Sequence, residues 1–167
     1  HAMTVLLLAL LAAPEGVHGQ TPAGFDKWIK ALEPRGLMPR VVSVHAFGGK
    51  TIFAAVADAN AAKLPFVARQ GLTTAEFNAL STKLNKEGHR LDTVSTYFDA
   101  GASRMAAVWV KDRSFGSSAS FSLDAEGLQT LLDEQKRLGA RPVSITGHQD
   151  GKGVKYAVCF HQVGGDW

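Results

Sequence analysis

Apolar and polar positions along the chain change period twice and then begin again. Phe25, Trp28, Ile29 and Leu32 recur at helical spacing. So do Phe77, Leu80 and Leu84, and after them Leu128, Leu131, Leu132 and Leu138. Each set predicts a helix with one buried face. A plausible N-cap, Thr21, Thr73 or Asp124, stands four residues ahead of the first apolar anchor of each run. Pro22 occupies the favoured first helical position, and Thr73 with Glu76 makes a capping box. Gly36, Gly88 and Gly139 end the helices, where a left-handed residue closes the last turn. Pro34, in the last turn of the first helix, predicts that this helix is shortened or distorted.

Past each glycine the period becomes two, the signature of a strand. Val42, Val94 and Ile145 are predicted to point into the core. Ser43, Ser95 and Thr146 point the other way, as do His45, Tyr97 and His148 two residues on. Turns containing Gly48-Gly49, Gly101, and Gly151 with Gly153 lead into a second strand, as a hairpin requires. That strand is apolar on both faces, with Phe53, Met105 and Tyr156 on one and Ala54, Ala106 and Ala157 on the other. Such a pattern predicts an inner strand, and the alanines predict close approach of another element.

The three passages align without gaps: GLMPRVVSVHAFGGKTIFAAVA from Gly36, GHRLDTVSTYFDAGASRMAAVW from Gly88 and GARPVSITGHQDGKGVKYAVCF from Gly139. Their spacings, 52 (36 to 88) and 51 (88 to 139), define a repeat architecture. The predicted fold is α+β: three tandem αββ repeats of about 51 residues, each a helix plus an antiparallel hairpin. They share a core in a ring or a short array. The expected domain is 21–167, with repeats at 21–72, 73–123 and 124–167. Residues 1–20 have two readings. VLLLALLAA (5–13), followed by Val17-His18-Gly19, suits a signal peptide, although no Lys or Arg precedes it. The repeat register instead makes TVLLLAL the strand of an incomplete leading repeat, since Leu6 precedes Phe25 by the same 19 residues that separate Trp109 from Leu128. Nine apolar residues are too few to span a bilayer as a helix, so no stable membrane span is expected.

Composition changes this picture little. Apolar content of 46% and charged content of 20% describe a folded globular chain. A net charge of +3, without any run of five basic residues, gives no nucleic-acid-binding stripe. The single cysteine, Cys159, sits where the other copies have Val56 and Val108, so it reads as a small buried hydrophobe rather than a reactive thiol.

Candidate chemistry is thin. The Ser-x-x-Lys and Gly-x-Ser-x-Gly signatures of serine hydrolases are missing. His45 and His148 with Asp99 and Asp150 have no local metal-ligand spacing, and neither a metal nor another cofactor is expected. Gly147 to Gly153 (GHQDGKG) is a glycine-rich turn, too short for a phosphate-binding loop.

The second copy carries FVARQGLTTAEF (66–77) ahead of its helix and RMAAVWVKD (104–112) on its hairpin. With Phe66, Ala68, Arg69, Gly71, Leu72 and Thr73 it resembles the bacterial tandem repeat domain family, whose units carry an aromatic-x-A-R-x-G-L-T turn. Arg141, Pro142, Ser144, Lys155, Tyr156 and Ala157 approximate the hairpin pattern of the same family. His45 and His148 replace its tyrosine, and Ser114 to Ser122 lacks the Arg-x-Gly-Leu-Thr core. The resemblance spans roughly residues 21–167. It implies an accessory module of secreted proteins, sometimes attached to serine hydrolases similar to β-lactamases, including fungal polyglycine hydrolases. It carries no catalytic role over to any residue.

The leading expectation is therefore a non-catalytic module of a secreted or periplasmic protein. Its candidate binding face is Ser43, His45, Ser95, Tyr97, Thr146 and His148, where hydroxyls beside flat polar rings suit a peptide or glycan. The same residues could instead bond neighbouring repeats and hold the array together. A partner protein or a downstream hydrolase domain is the further partner expectation. The alternative is a small hydrolase that uses the Ser and His residues of this face.

Overall fold

The computed structural model describes residues 13–164. The first unit runs β1 (Glu15–Gln20), α1 (Pro22–Leu32), β2 (Leu37–Phe47) and β3 (Lys50–Ala59). The second repeats the order as β4 (Phe66–Leu72), α2 (Thr74–Lys86), β5 (Arg90–Asp99) and β6 (Ala102–Val110). The third has β7 (Ser117–Leu123), α3 (Ala125–Arg137), β8 (Ala140–Gln149) and β9 (Val154–Gln162). Each unit thus forms a three-stranded antiparallel sheet, in the orders β1-β3-β2, β4-β6-β5 and β7-β9-β8. The hairpin partner β3, β6 or β9 is the central strand, which is why its sequence is apolar on both faces.

The predicted helix signals act as expected. Thr21, Thr73 and Asp124 each accept a backbone N–H from the first turn, and Thr73 with Glu76 completes the capping box. Pro34 leaves α1 to finish as a 3-10 turn over Glu33–Arg35, closed by Gly36 at φ 69°. Two features depart from the sequence pattern. Each unit opens with a strand that the αββ reading lacks, so the unit is βαββ. The VLLLALLAA run falls almost wholly outside the described residues, and Glu15–Gln20 supplies the leading strand of the first sheet.

Consecutive units meet through their hairpin-edge strands, β2 against β5 and β5 against β8. One sheet face, here termed leading, looks toward the preceding unit. The trailing face carries the unit's own helix and receives the next unit. Phe25, Val42, Val44 and Phe53 of the first unit form one core with Tyr97, Ala106 and Val108 from the leading face of the second. Phe77, Val94, Met105 and Trp109 likewise pack with Cys159 of the third. Full burial of each large side chain in these cores contributes about 1.5–3 kcal/mol. With a unit on either side, β5 is buried at every position from Arg90 to Tyr97.

The third unit has no following unit among the described residues, and this corrects one expectation. Val42 and Val94 are 3% and 1% exposed, whereas Ile145, their equivalent, is 48% exposed. Helix α3 correspondingly has no fully buried residue, although Leu128, Leu131 and Leu132 pack on Val158 and Phe160.

Candidate functional site

The six residues of the predicted strand face do not form one surface. Ser95 and Tyr97 are buried between the first and second units. Ser95 Oγ accepts the Val44 N–H across the junction (3.2 Å), and Tyr97 Oη accepts the Gly71 N–H (3.1 Å). Burial pushes the Tyr97 phenol above its ordinary pKa. Thr146 Oγ1 accepts the Thr96 N–H (3.2 Å) between the second and third units. His148 bridges Thr96 Oγ1 (3.1 Å) and Ser103 Oγ (3.2 Å), and burial lowers its pKa. Ser144, one pleat back, exchanges bonds with the Val94 N–H and C=O. These hydroxyls cap the outward N–H groups of an edge strand, which otherwise have no ladder partner.

Ser43 and His45 differ because no unit precedes them among the described residues. Ser43 Oγ lies 3.4 Å from His45 Nε2. A serine nucleophile needs its base oriented by a third group. Among the described residues no carboxylate hydrogen-bonds to His45, whose one such contact is Ser43. Nor do any three His, Cys, Asp or Glu side chains there cluster as metal ligands.

The densest charged cluster lies elsewhere, at the second junction, and sequence reasoning missed it. Arg90 pairs with Asp92 and reaches Asp112 Oδ2 through Nε (3.3 Å), its guanidinium carbon 4.2 Å from the centre of the Phe115 ring. His161 of the third unit closes the cluster. Its Nε2 lies 3.0 Å from Leu91 O, to which it donates when the proton sits on that nitrogen, and Asp92 is 3.9 Å away. Burial, then the adjacent Arg90, holds the His161 pKa below its ordinary value. The Ser114 N–H, more than Arg90, lowers that of Asp112. Burial also drives the Cys159 thiol up to about 12, so it stays protonated. The available signal was Asp92, an acid near the start of β5 whose third-copy equivalent is Val143.

Beside this cluster a cavity of about 130 Å³ opens between α2, β6 and β7, walled by Phe77, Trp109 and Phe121. Ser81, His89 and Trp109 are among the residues that line it. Among the described residues, Ser81 Oγ, His89 Nδ1 and Trp109 Nε1 are the buried side-chain polar atoms without a hydrogen-bond partner. The cavity shares Asn85, His89 and Ser117 with a wider basin of about 430 Å³ edged by Arg90, Asp112 and Arg113. An indole N–H, a hydroxyl and an imidazole nitrogen together match a neutral group that both donates and accepts. The inner volume equals that of about four waters, or one or two main-chain amides.

No helix among the described residues is long and apolar enough to cross a membrane. Compared with known proteins, the chain matches the family model described as a polyglycine hydrolase-like structural repeat. The match occurs three times in tandem, at residues 12–60, 63–112 and 116–163. No curated protein matches the chain.

Proposed function

Because the chain belongs to the polyglycine hydrolase-like structural-repeat family, we propose that it is a non-catalytic repeat module, a binding or accessory part of an extracytoplasmic protein. Two features support the non-catalytic part of the reading. The family description is of a structural repeat, and of the six hydroxyl- and ring-bearing residues Ser95, Thr146 and His148 hydrogen-bond between units while Tyr97 packs against Phe53 of the preceding unit. The module takes up an extended, uncharged segment of a partner chain, such as a peptide stretch or the linker of an attached hydrolase domain. Its receptor is the cavity between the second and third units. The observation that carries this is that three residues lining one cavity each hold a buried polar atom without a partner. Leaving such atoms unpaired costs about 1–3 kcal/mol each, so a ligand that satisfies them gains that energy on binding.

The test is ¹⁵N NMR of the full chain, following the Trp109 indole N–H during titration with short uncharged peptides and, separately, with neutral oligosaccharides. A peptide-dependent, saturable shift of that signal is expected, lost in Trp109→Phe, which keeps an aromatic ring but removes the donor. An unmoved indole at millimolar peptide, or a shift that Trp109→Phe leaves intact at neighbouring residues, sinks the proposal. A response to oligosaccharide alone replaces the peptide with a glycan.

A further inference from the structure

Exposed apolar side chains concentrate on the two ends of the stack of units. Val41, Phe47, Ile52 and Val56 are exposed on the leading face of the first unit. Val143, Ile145 and Val154 are exposed toward the trailing side of the third. Contiguous exposed apolar surface of this kind marks an interaction site more often than chance scatter does.

The repeat says what each end is shaped to meet. Val56 is 43% exposed, whereas its equivalents Val108 and Cys159, each facing a preceding unit, are both 0% exposed. Ile145 is 48% exposed, whereas Val94, with a following unit in place, is 1% exposed. The leading face of the first unit therefore has the chemistry of the two leading faces that are buried. The trailing face of the third has the chemistry of the two that receive them. Over the first of these ends lies a shallow depression of about 310 Å³, lined by Val17, Val41, Ser43, Ala54 and Val56.

Polar positions obey the same correspondence. Ser95 Oγ caps the Val44 N–H, and Thr146 Oγ1 caps the Thr96 N–H one unit later. Carrying that relation one unit further pairs Ser43 with the N–H of Gly147, which occupies the place of Val44 and Thr96. The place a side chain would take at Gly147 is filled by the ring of its strand partner Tyr156, two of whose carbons lie 3.2 Å from where a Cβ would stand.

We propose that the leading face of the first unit and the trailing face of the third are the two halves of one interface, and that a second copy of this chain occupies each. The contact is head-to-tail, so it closes into a ring or extends as a filament according to the rotation per chain. It continues the two interfaces already present between units. Val56 and Val41 cover Ile145 and its neighbours, and Ser43 Oγ accepts the Gly147 N–H.

The experiment uses the full chain and two substitutions, Val41→Glu on one end and Ile145→Glu on the other, with mass read by light scattering or sedimentation. Wild type is expected to form species of two or more chains that grow with concentration, and each variant alone to remain a monomer. Mixed, the variants retain one intact leading face and one intact trailing face between them. They are expected to form a 1:1 dimer that does not grow further. Both positions are about half exposed, and circular dichroism verifies folding. Should a glutamate chain fail to fold, Val41→Ser and Ile145→Ser repeat the mixing. A wild type that stays monomeric at all concentrations overturns the proposal. Hydrogen exchange then distinguishes ends covered by the chain's own N-terminal segment from ends left open. A variant pair that stays monomeric on mixing, or an oligomer that only one of the two substitutions dissolves, overturns it equally.

Discussion

Left-handed backbone recurs just before every helix, where the leading strand breaks register with its central partner. The first two units place Gly19 (φ 66°) and Gly71 (φ 75°) there, but the third places Ser122 (φ 58°). A side chain in that conformation costs about 1–2 kcal/mol, whereas glycine adopts it freely but loses more entropy on folding. Ser122 is exposed and makes no side-chain hydrogen bond among those of the described residues, so nothing offsets the strain. Ser122→Gly is expected to stabilise the chain by about 0.5–1 kcal/mol, raising Tm by roughly 2–3 °C. Calorimetry checks this, and an unchanged or lower Tm means the turn is not strained. The missing glycine was visible in the sequence as the lost Arg-x-Gly-Leu-Thr core. Its conformational consequence was not, because only the bulge geometry demands a positive φ there.

At the scale of elements, the units are joined by hydroxyl-bearing strands set against the open edges of their predecessors. Ser95→Ala leaves the buried Val44 N–H without a partner and is expected to cost about 1–2 kcal/mol in urea denaturation. Ser43→Ala, measured in dilute solution, changes stability by less than about 0.5 kcal/mol, because its hydroxyl caps no backbone group among the described residues. Equal costs at the two positions contradict this account of the junctions. Helices and hairpins were legible in the sequence because their periods are long and their caps specific, as at Thr73 and Glu76. The leading strands were not. Phe66–Leu72 is short, and a register break interrupts its alternation, so it read as a turn. The equivalence of Ser43, Ser95 and Thr146 showed that they share a structural position, but the two-residue period could not say which of them a neighbouring unit covers. Arg90 and His161 lie 71 residues apart and meet only because the sheets stack. No local spacing foretells such a cluster.

For the whole molecule, the second junction is the place where pH acts. His148 and His161 both belong to the third unit, and both face the second. His148 meets Thr96 and Ser103, with Asp150 near enough to oppose the effect of burial. His161 meets Arg90, Leu91 O, Asp92 and the Phe115 ring, with Asp112 close enough to act by charge. Each imidazole has a folded-state pKa below its unfolded value of 6.5. Near and below that pH the unfolded chain therefore binds more protons than the folded one, and stability falls as pH falls. The contribution is complete above pH 6.5 and is lost as the pH drops through the folded values. The lowered carboxyl pKa of Asp112 acts in the same direction, but its window lies below that residue's ordinary value of 3.8, well separated from the histidine window. Because each unit of a repeat array is held by its neighbour interfaces, loss at one junction loosens the unit beyond it before the rest. Moving from pH 7.5 to pH 5 is expected to lower Tm and to speed amide exchange first in β8, β9 and α3, with the first unit still protected. His161→Gln, whose amide can still donate to Leu91 O, is expected to flatten the dependence by removing one of the two titrating groups. If exchange quickens uniformly across all three units, or Tm holds constant over that range, the junction histidines do not control stability.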